Sequence, residues 1–177
     1  MKILLLGGQS PRHYDWVREV REVLEEAGNE VVLHDYAHWL RDEPTIDFMA
    51  ELNAVSTIAQ EIEGDYIIVA KSIGTVLTAV GTMRGLLAPK ACLLLGFPLQ
   101  SFKDDEDVAT AIGALPLSIF VQNTDDPLGS YDELTDYLRP LAPATTVTVP
   151  LPGKTHDYMD FMLIAELVAK LSAVAGK

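Results

Sequence analysis

The sequence predicts an α/β fold: a doubly wound three-layer sandwich built on a six-stranded parallel sheet of order 2-1-3-4-5-6. Three observations lead there. Short apolar runs alternate with amphipathic segments from end to end, which is the pattern of a parallel sheet covered by helices on both faces. Helical stretches separate the six runs, and right-handed crossovers restrict the topology they can form. With 177 residues, 49% hydrophobic and 22% charged, the chain is long enough for one domain, 1-177, with a real core.

Each element has its own signal. Residues 2–6 form an apolar first strand that stops at Gly7 and Gly8. Val17, Val20, Val23, Leu24 and Ala27 make a helical stripe ended by Gly28, the residue that suits a left-handed C-terminal turn. Residues 30–34 are the second strand. Met49, Leu52, Val55, Ala59 and Ile62 make the next helical stripe, ended by Gly64. The run 66–70 is β-branched and aromatic, as a buried strand should be. After it, Val76, Leu77, Ala79, Val80 and Met83 have helical spacing. Strand four is 91–95, followed by a weak helix between Phe102 and Ala114 with Asp104, Asp105, Glu106 and Asp107 at its positive end. Strand five is 117–122. Ser130 and Glu133 form a capping box that opens a helix through Leu138, and Pro140 stops it. Strand six is 145–149, and Phe161, Ile164, Ala165, Val168 and Leu171 give the last helix its buried face.

Composition excludes several function classes. A net charge of −13 argues against nucleic acid and against anionic membranes, because both demand a basic surface, and it favours solubility. No apolar run approaches a membrane span, and the first strand is too short for a signal peptide, so a cytoplasmic protein is expected. The single cysteine, Cys92, sits in an apolar run and reads as a buried, inert thiol.

The chemistry-bearing signal is Ser72. It follows the third strand directly and precedes a helix, with Ala70 and Gly74 two residues to either side. A serine on a sharp strand-to-helix turn needs small neighbours, and its hydroxyl is then presented at the carboxyl edge of the sheet beside a helix N-terminus. In the expected strand order this turn falls at the switch point, where ligands bind. An alcohol needs an adjacent base, and the base needs an acid to orient it. Strand five is followed by Asp125 and Asp126, and strand six by a loop with Gly153 and His156. Nucleophile, acid and histidine after three different strands is the Ser…Asp…His order.

At these residues the sequence resembles the α/β-hydrolase family over nearly its whole length. It is most similar to small, cap-poor members of the dienelactone-hydrolase-like and serine-esterase-like kind. The family's G-x-x-D-P-[FL]-G pattern around the acid matches residues 123–129 except at Asn123, and this alignment selects Asp126, with Asp125 as the alternate. The resemblance places the base at His156, although Lys154 and Thr155 depart from the residues usual before it. It also implies an oxyanion hole from the backbone N–H of Ile73 and of Gln9, with Gly7 standing where the family has histidine. Ala70 replaces the first glycine of G-x-S-x-G. The activity that the resemblance implies is that of a serine hydrolase of esters or related acyl compounds, with a small-molecule substrate and neither cofactor nor metal.

Weaker signals stay open. Gly7 and Gly8 fit a phosphate-binding loop less well than an oxyanion loop, since the spacing and the lysine of such loops are missing. His34, Asp35 and His38 offer metal-type side chains without a second cluster, and with Trp39 they are alternatively a pocket wall. Arg12, His13, Lys71 and Lys154 are expected in loops at the catalytic edge, where an anionic substrate would suit them. Gly8 is expected beside the substrate, and Phe97, Leu99 and Phe102 are expected to wall its apolar part. A binding protein on the same fold and a nucleotide-binding protein are the competing classes.

Overall fold

The structure is a computed structural model that describes residues 1–41, 43 and 45–176. Its strands are β1 (Lys2–Leu6), β2 (Glu30–His34), β3 (Tyr66–Lys71), β4 (Ala91–Leu95), β5 (Leu117–Asn123) and β6 (Thr146–Leu151). Its helices are α1 (His13–Glu26), α2 (Ala37–Leu40), α3 (Phe48–Glu61), α4 (Ile73–Met83), α5 (Leu99–Phe102), α6 (Glu106–Gly113), α7 (Tyr131–Leu138) and α8 (Phe161–Ala175). All strands are parallel, in the order β2-β1-β3-β4-β5-β6, as the sequence predicted.

Burial explains which strands lie where. Every residue of β3 and β4 is buried, as are four of the five in β1, the continuous apolar pattern of strands covered on both faces. The edge strand β6 is only half-buried, and it carries Pro150 at the sheet margin, where a missing N–H is tolerated. Helices α1 and α8 pack together, while α4 packs against α3 and α6. Between these layers lies one core, with Leu4, Leu5, Ile67, Ile68, Val69 and Leu93 inaccessible at its centre.

The structure corrects several boundaries. β3 runs on to Lys71, β5 to Asn123, and β6 is shifted toward the loop that carries His156. Residues 37–40, for which the sequence predicts no element, form α2. The weak helix is α6, which begins at Glu106 because Asp105 accepts from the N–H groups of Asp107 and Val108, and the short α5 precedes it. Met49 lies out of the core at the start of α3, while Glu51, two residues on, is buried. The Ser130–Glu133 capping box forms as expected. Cys92 is fully buried, and burial pushes its thiol up to about 12, far from the thiolate a reactive cysteine needs.

Candidate active site

Ser72 is the sole non-glycine residue with positive φ among the described residues, at φ 53° and ψ −122°. Such a conformation costs about 1–3 kcal/mol and persists only where the surroundings over-determine it. Here they do. The Ser72 N–H donates to Leu95 O at 2.9 Å, its carbonyl accepts from Thr75 Oγ1 at 2.6 Å, and β3 on one side and α4 on the other fix the chain. A Cβ on Gly74 would stand 2.8 Å from Gly7 O. The turn therefore needs a small residue at plus two because α4 begins against the β1 loop. Ala70 has no exposed surface, and a methyl is accommodated at the minus-two position.

Asp126 and His156 come together from the loops after β5 and β6. His156 Nδ1 lies 2.8 Å from Asp126 Oδ2 and 3.0 Å from Oδ1. A carboxylate only accepts, so Nδ1 carries the proton and Nε2 of the neutral ring keeps its lone pair. The same carboxylate accepts from the Leu128 N–H at 2.8 Å and from the Tyr158 hydroxyl at 2.7 Å. A buried anion is tolerable only when paired and hydrogen-bonded, and three donors meet that need. Asp125 is exposed beside it and bonds within its own turn.

Residues with no role assigned from the sequence hold this pair. Asn123 donates its N–H to the Tyr158 hydroxyl and its Nδ2 to Thr155 O at 2.8 Å and Asp157 O at 3.2 Å, bracketing His156. Asn123, where the resembled pattern has glycine, thus clamps the histidine loop. Gln122, wholly buried, ties Phe97 N–H to Gly129 O across the β4 and β5 loops. Tyr158 is itself located by Trp16 Nε1, which donates to its carbonyl at 2.7 Å.

The β1 loop forms the other side. Tyr36 donates to Gly7 O at 3.0 Å, and Gln9 O accepts from His38 Nε2 at 2.5 Å and Trp39 Nε1 at 3.0 Å. His38 and Trp39 are therefore behind the loop and buried, not a pocket wall. Glu51 anchors this group: its carboxylate accepts from Ala37 N–H at 2.7 Å and lies 2.7 Å from His34 Nε2. Among the described residues no group of His, Cys, Asp or Glu is arranged to hold a metal ion. Ile73 is the first residue of α4, so its N–H belongs to the four that have no acceptor inside the helix.

A cavity of about 520 Å³ joins these parts, bordered by Gln9, Ser72, Ile73 and His156, with Pro98, Phe102 and Leu128 as its apolar side. His156 Nε2 is buried and makes no hydrogen bond, to Ser72 or to any other described residue. Phe102 walls the cavity as expected; Phe97 and Leu99 do not. Both are buried beneath it, Phe97 stacked on Tyr137 and edge-on to Phe120, Leu99 against Gly129. Gly8 lies against Ser72, and a side chain there would overlap the His13 ring.

The four cations separate. Arg12 and Lys154 are exposed; His13 opens α1, half-buried; Lys71 is the last residue of β3 and 1% exposed. Burial, then the nearby Lys71 charge, lowers His13 to about 4, so its ring is neutral at pH 7 rather than cationic. Burial lowers Lys71 to about 8, a shift that Asp157 and Asp126 partly oppose.

No family model matches the sequence, and no curated protein does. Solved structures do match. A putative hydrolase from Agrobacterium vitis S4 superposes with a TM-score of 0.73 at 12% identity, over 96% of this chain and 87% of that one. Est1E from Butyrivibrio proteoclasticus, solved with ferulic acid bound, gives 0.73 at 15% identity, over 98% and 88%. The ydeN gene product of B. subtilis gives 0.73 at 12% identity, over 97% and 98%. Strand order, all-parallel pairing and these superpositions agree: the chain has the α/β-hydrolase fold.

Proposed function

We propose that the protein is a serine hydrolase that cleaves a carboxylic ester or related acyl bond of a small molecule through an acyl-enzyme. Ser72 Oγ attacks the carbonyl carbon while His156 Nε2 takes its proton. Asp126 fixes the Nδ1–H tautomer and stabilises the imidazolium that forms. The oxyanion is met by the backbone N–H groups of Ile73 and Gln9. His156 then gives its proton to the leaving group, and water, deprotonated by the same nitrogen, attacks the acyl-enzyme and restores Ser72. The scheme calls for no cofactor or metal and suits a cytoplasmic enzyme. The likeness to Est1E, whose structure holds the carboxylic acid ferulic acid, is in keeping with an acyl substrate.

One observation carries this reading: a strained serine and the unpartnered Nε2 of an aspartate-held histidine border the same cavity. Ser72→Ala should abolish p-nitrophenyl ester turnover and leave the melting temperature within a few degrees of wild type. Equal turnover by the variant would refute the assignment. A second reading, a binding protein on the hydrolase fold, is favoured by the absence of a hydrogen bond between His156 Nε2 and Ser72. It predicts ligand-dependent stabilisation without turnover of any ester.

A further inference from the structure

A second cavity, of about 350 Å³, adjoins the first and shares Ser10, His13 and His156 with it. Ser72, Ile73 and Gln9 border only the first. The second cavity therefore lies on the histidine side of the scissile bond, away from the oxyanion side. A leaving group must approach His156 to take its proton, so its substituents extend this way. Lys71 and Trp16 also border this cavity.

Lys71 is the feature that the catalytic scheme does not use. Its ammonium sits 5.1 Å above the Trp16 ring, and among the described residues it has neither a hydrogen-bond acceptor nor a carboxylate oxygen within ion-pair distance. A lysine is almost never buried without a close partner; this one has the Trp16 face, worth about 0.5–2 kcal/mol, and the longer-range charges of Asp157 and Asp126, and its three donors are left for what fills the cavity. Arg12 at the margin adds positive charge, and His13 between the cavities is neutral at pH 7. Asp15, Glu19 and Asp157 also border the cavity, but all three are exposed. Their charge is screened by water, and it disfavours a second negative charge on any ligand that enters.

We infer that Lys71 forms a subsite for a single carboxylate on the leaving-group side, so that the substrates are esters whose alcohol part is a hydroxy acid. This rests on the serine-hydrolase reading above. The carboxylate accepts from the Lys71 ammonium at the floor of the cavity while its aromatic or aliphatic body lies along Trp16. Acylation of Ser72 breaks the bond to the hydroxy acid, which takes its proton from His156 and is left in this cavity; water then hydrolyses the acyl-enzyme and restores Ser72.

The test compares the butyrate ester of 3-hydroxybenzoic acid with phenyl butyrate, which lacks the carboxylate. Wild type should show the higher kcat/KM on the anionic ester, and Lys71→Met should lower the ratio of the two kcat/KM values by about tenfold or more, the scale of one lost charge-assisted hydrogen bond. Lys71→Arg should retain most of the ratio. An unchanged ratio in Lys71→Met overturns the subsite. Calorimetric titration of 3-hydroxybenzoate into the Ser72→Ala protein, with and without Lys71→Met, reads the subsite independently of turnover. Binding that is lost with Lys71 but accompanied by no hydrolysis of either ester keeps the subsite and removes the hydrolase reading. Absence of binding to the protein that retains Lys71 removes the subsite. Should Lys71→Met fail to fold by circular dichroism, Lys71→Gln takes its place in both measurements.

Discussion

The two arms that flank Ser72 are built on different principles. The proposed acid–base arm, from the loops after β5 and β6, is organised around a buried charge: three donors converge on the Asp126 carboxylate, and one of them is the imidazole proposed as the base. The proposed oxyanion arm, from the loop after β1, is organised around neutral carbonyls. Gly7 O and Gln9 O are held by side chains from residues 36–39, and the charge, on Glu51, stands one step back. This contrast determines what each arm tolerates. Removing a partner from a buried charge leaves an uncompensated ion, whereas removing one donor from a carbonyl that has two leaves the other in place. The acid–base arm should therefore fail steeply and the oxyanion arm gradually.

The largest effect should come from Asp126→Asn. An amide at that position donates as well as accepts and favours the wrong imidazole tautomer, so kcat should fall by about 10³–10⁴, the scale known for such a change in a serine protease. A fall of less than tenfold in ester kinetics would show that the aspartate does not orient the base. Next is Tyr158→Phe. It strips one of three donors from the carboxylate and leaves the Asn123 N–H without its acceptor. Chemical denaturation should report a loss of about 1–3 kcal/mol, along with a lower kcat. On the oxyanion arm, Trp39→Phe removes one of the two ring donors to Gln9 O. Its kcat should fall by about tenfold with KM little changed, less than the 10²–10³ that follows loss of an oxyanion donor itself. A larger fall than that of Asp126→Asn would invert the order of the two arms.

The smallest effect sits between the arms and concerns stability. Lys71 titrates near 8 in the folded protein and near its ordinary 10.5 when unfolded. Between these values the unfolded chain binds the extra proton, so wild-type stability rises with pH across that window. Below pH 8 the buried ammonium costs its full desolvation, and Lys71→Met should be the more stable protein by about 1–3 kcal/mol at pH 7. That advantage should shrink from pH 8 toward 10.5. Melting curves at pH 7 and 9.5 measure it, and an equal difference at both would mean that Lys71 is not desolvated.

How much of this was legible in the sequence differs between the same two arms. Strand order and the positions of Ser72, Asp126 and His156 follow from local signals: apolar runs, a small-residue turn, and an Asp-Pro-Leu-Gly loop. Asn123 was visible only as a mismatch, because its side chain works on a loop more than 30 residues away. The oxyanion arm was less legible still. Of its supports, His38 and Trp39 looked like metal-type or pocket residues, since nothing local says that their ring donors point back at Gln9. Glu51 carries no local signal of its own. Phe97 and Leu99 were misplaced for the same reason: position after a strand gives the edge of the sheet but not the depth of the side chain. Lys71 looked like a loop cation because its β-strand register extends one residue past the apolar run.

The most direct test of the account is fluorophosphonate labelling mapped by peptide mass spectrometry, run in parallel on wild type and His156→Ala. One adduct per chain on Ser72, with labelling slowed by orders of magnitude in His156→Ala, is the predicted result. An adduct on another residue, or equal labelling of the two proteins, would contradict a Ser72 nucleophile activated by His156.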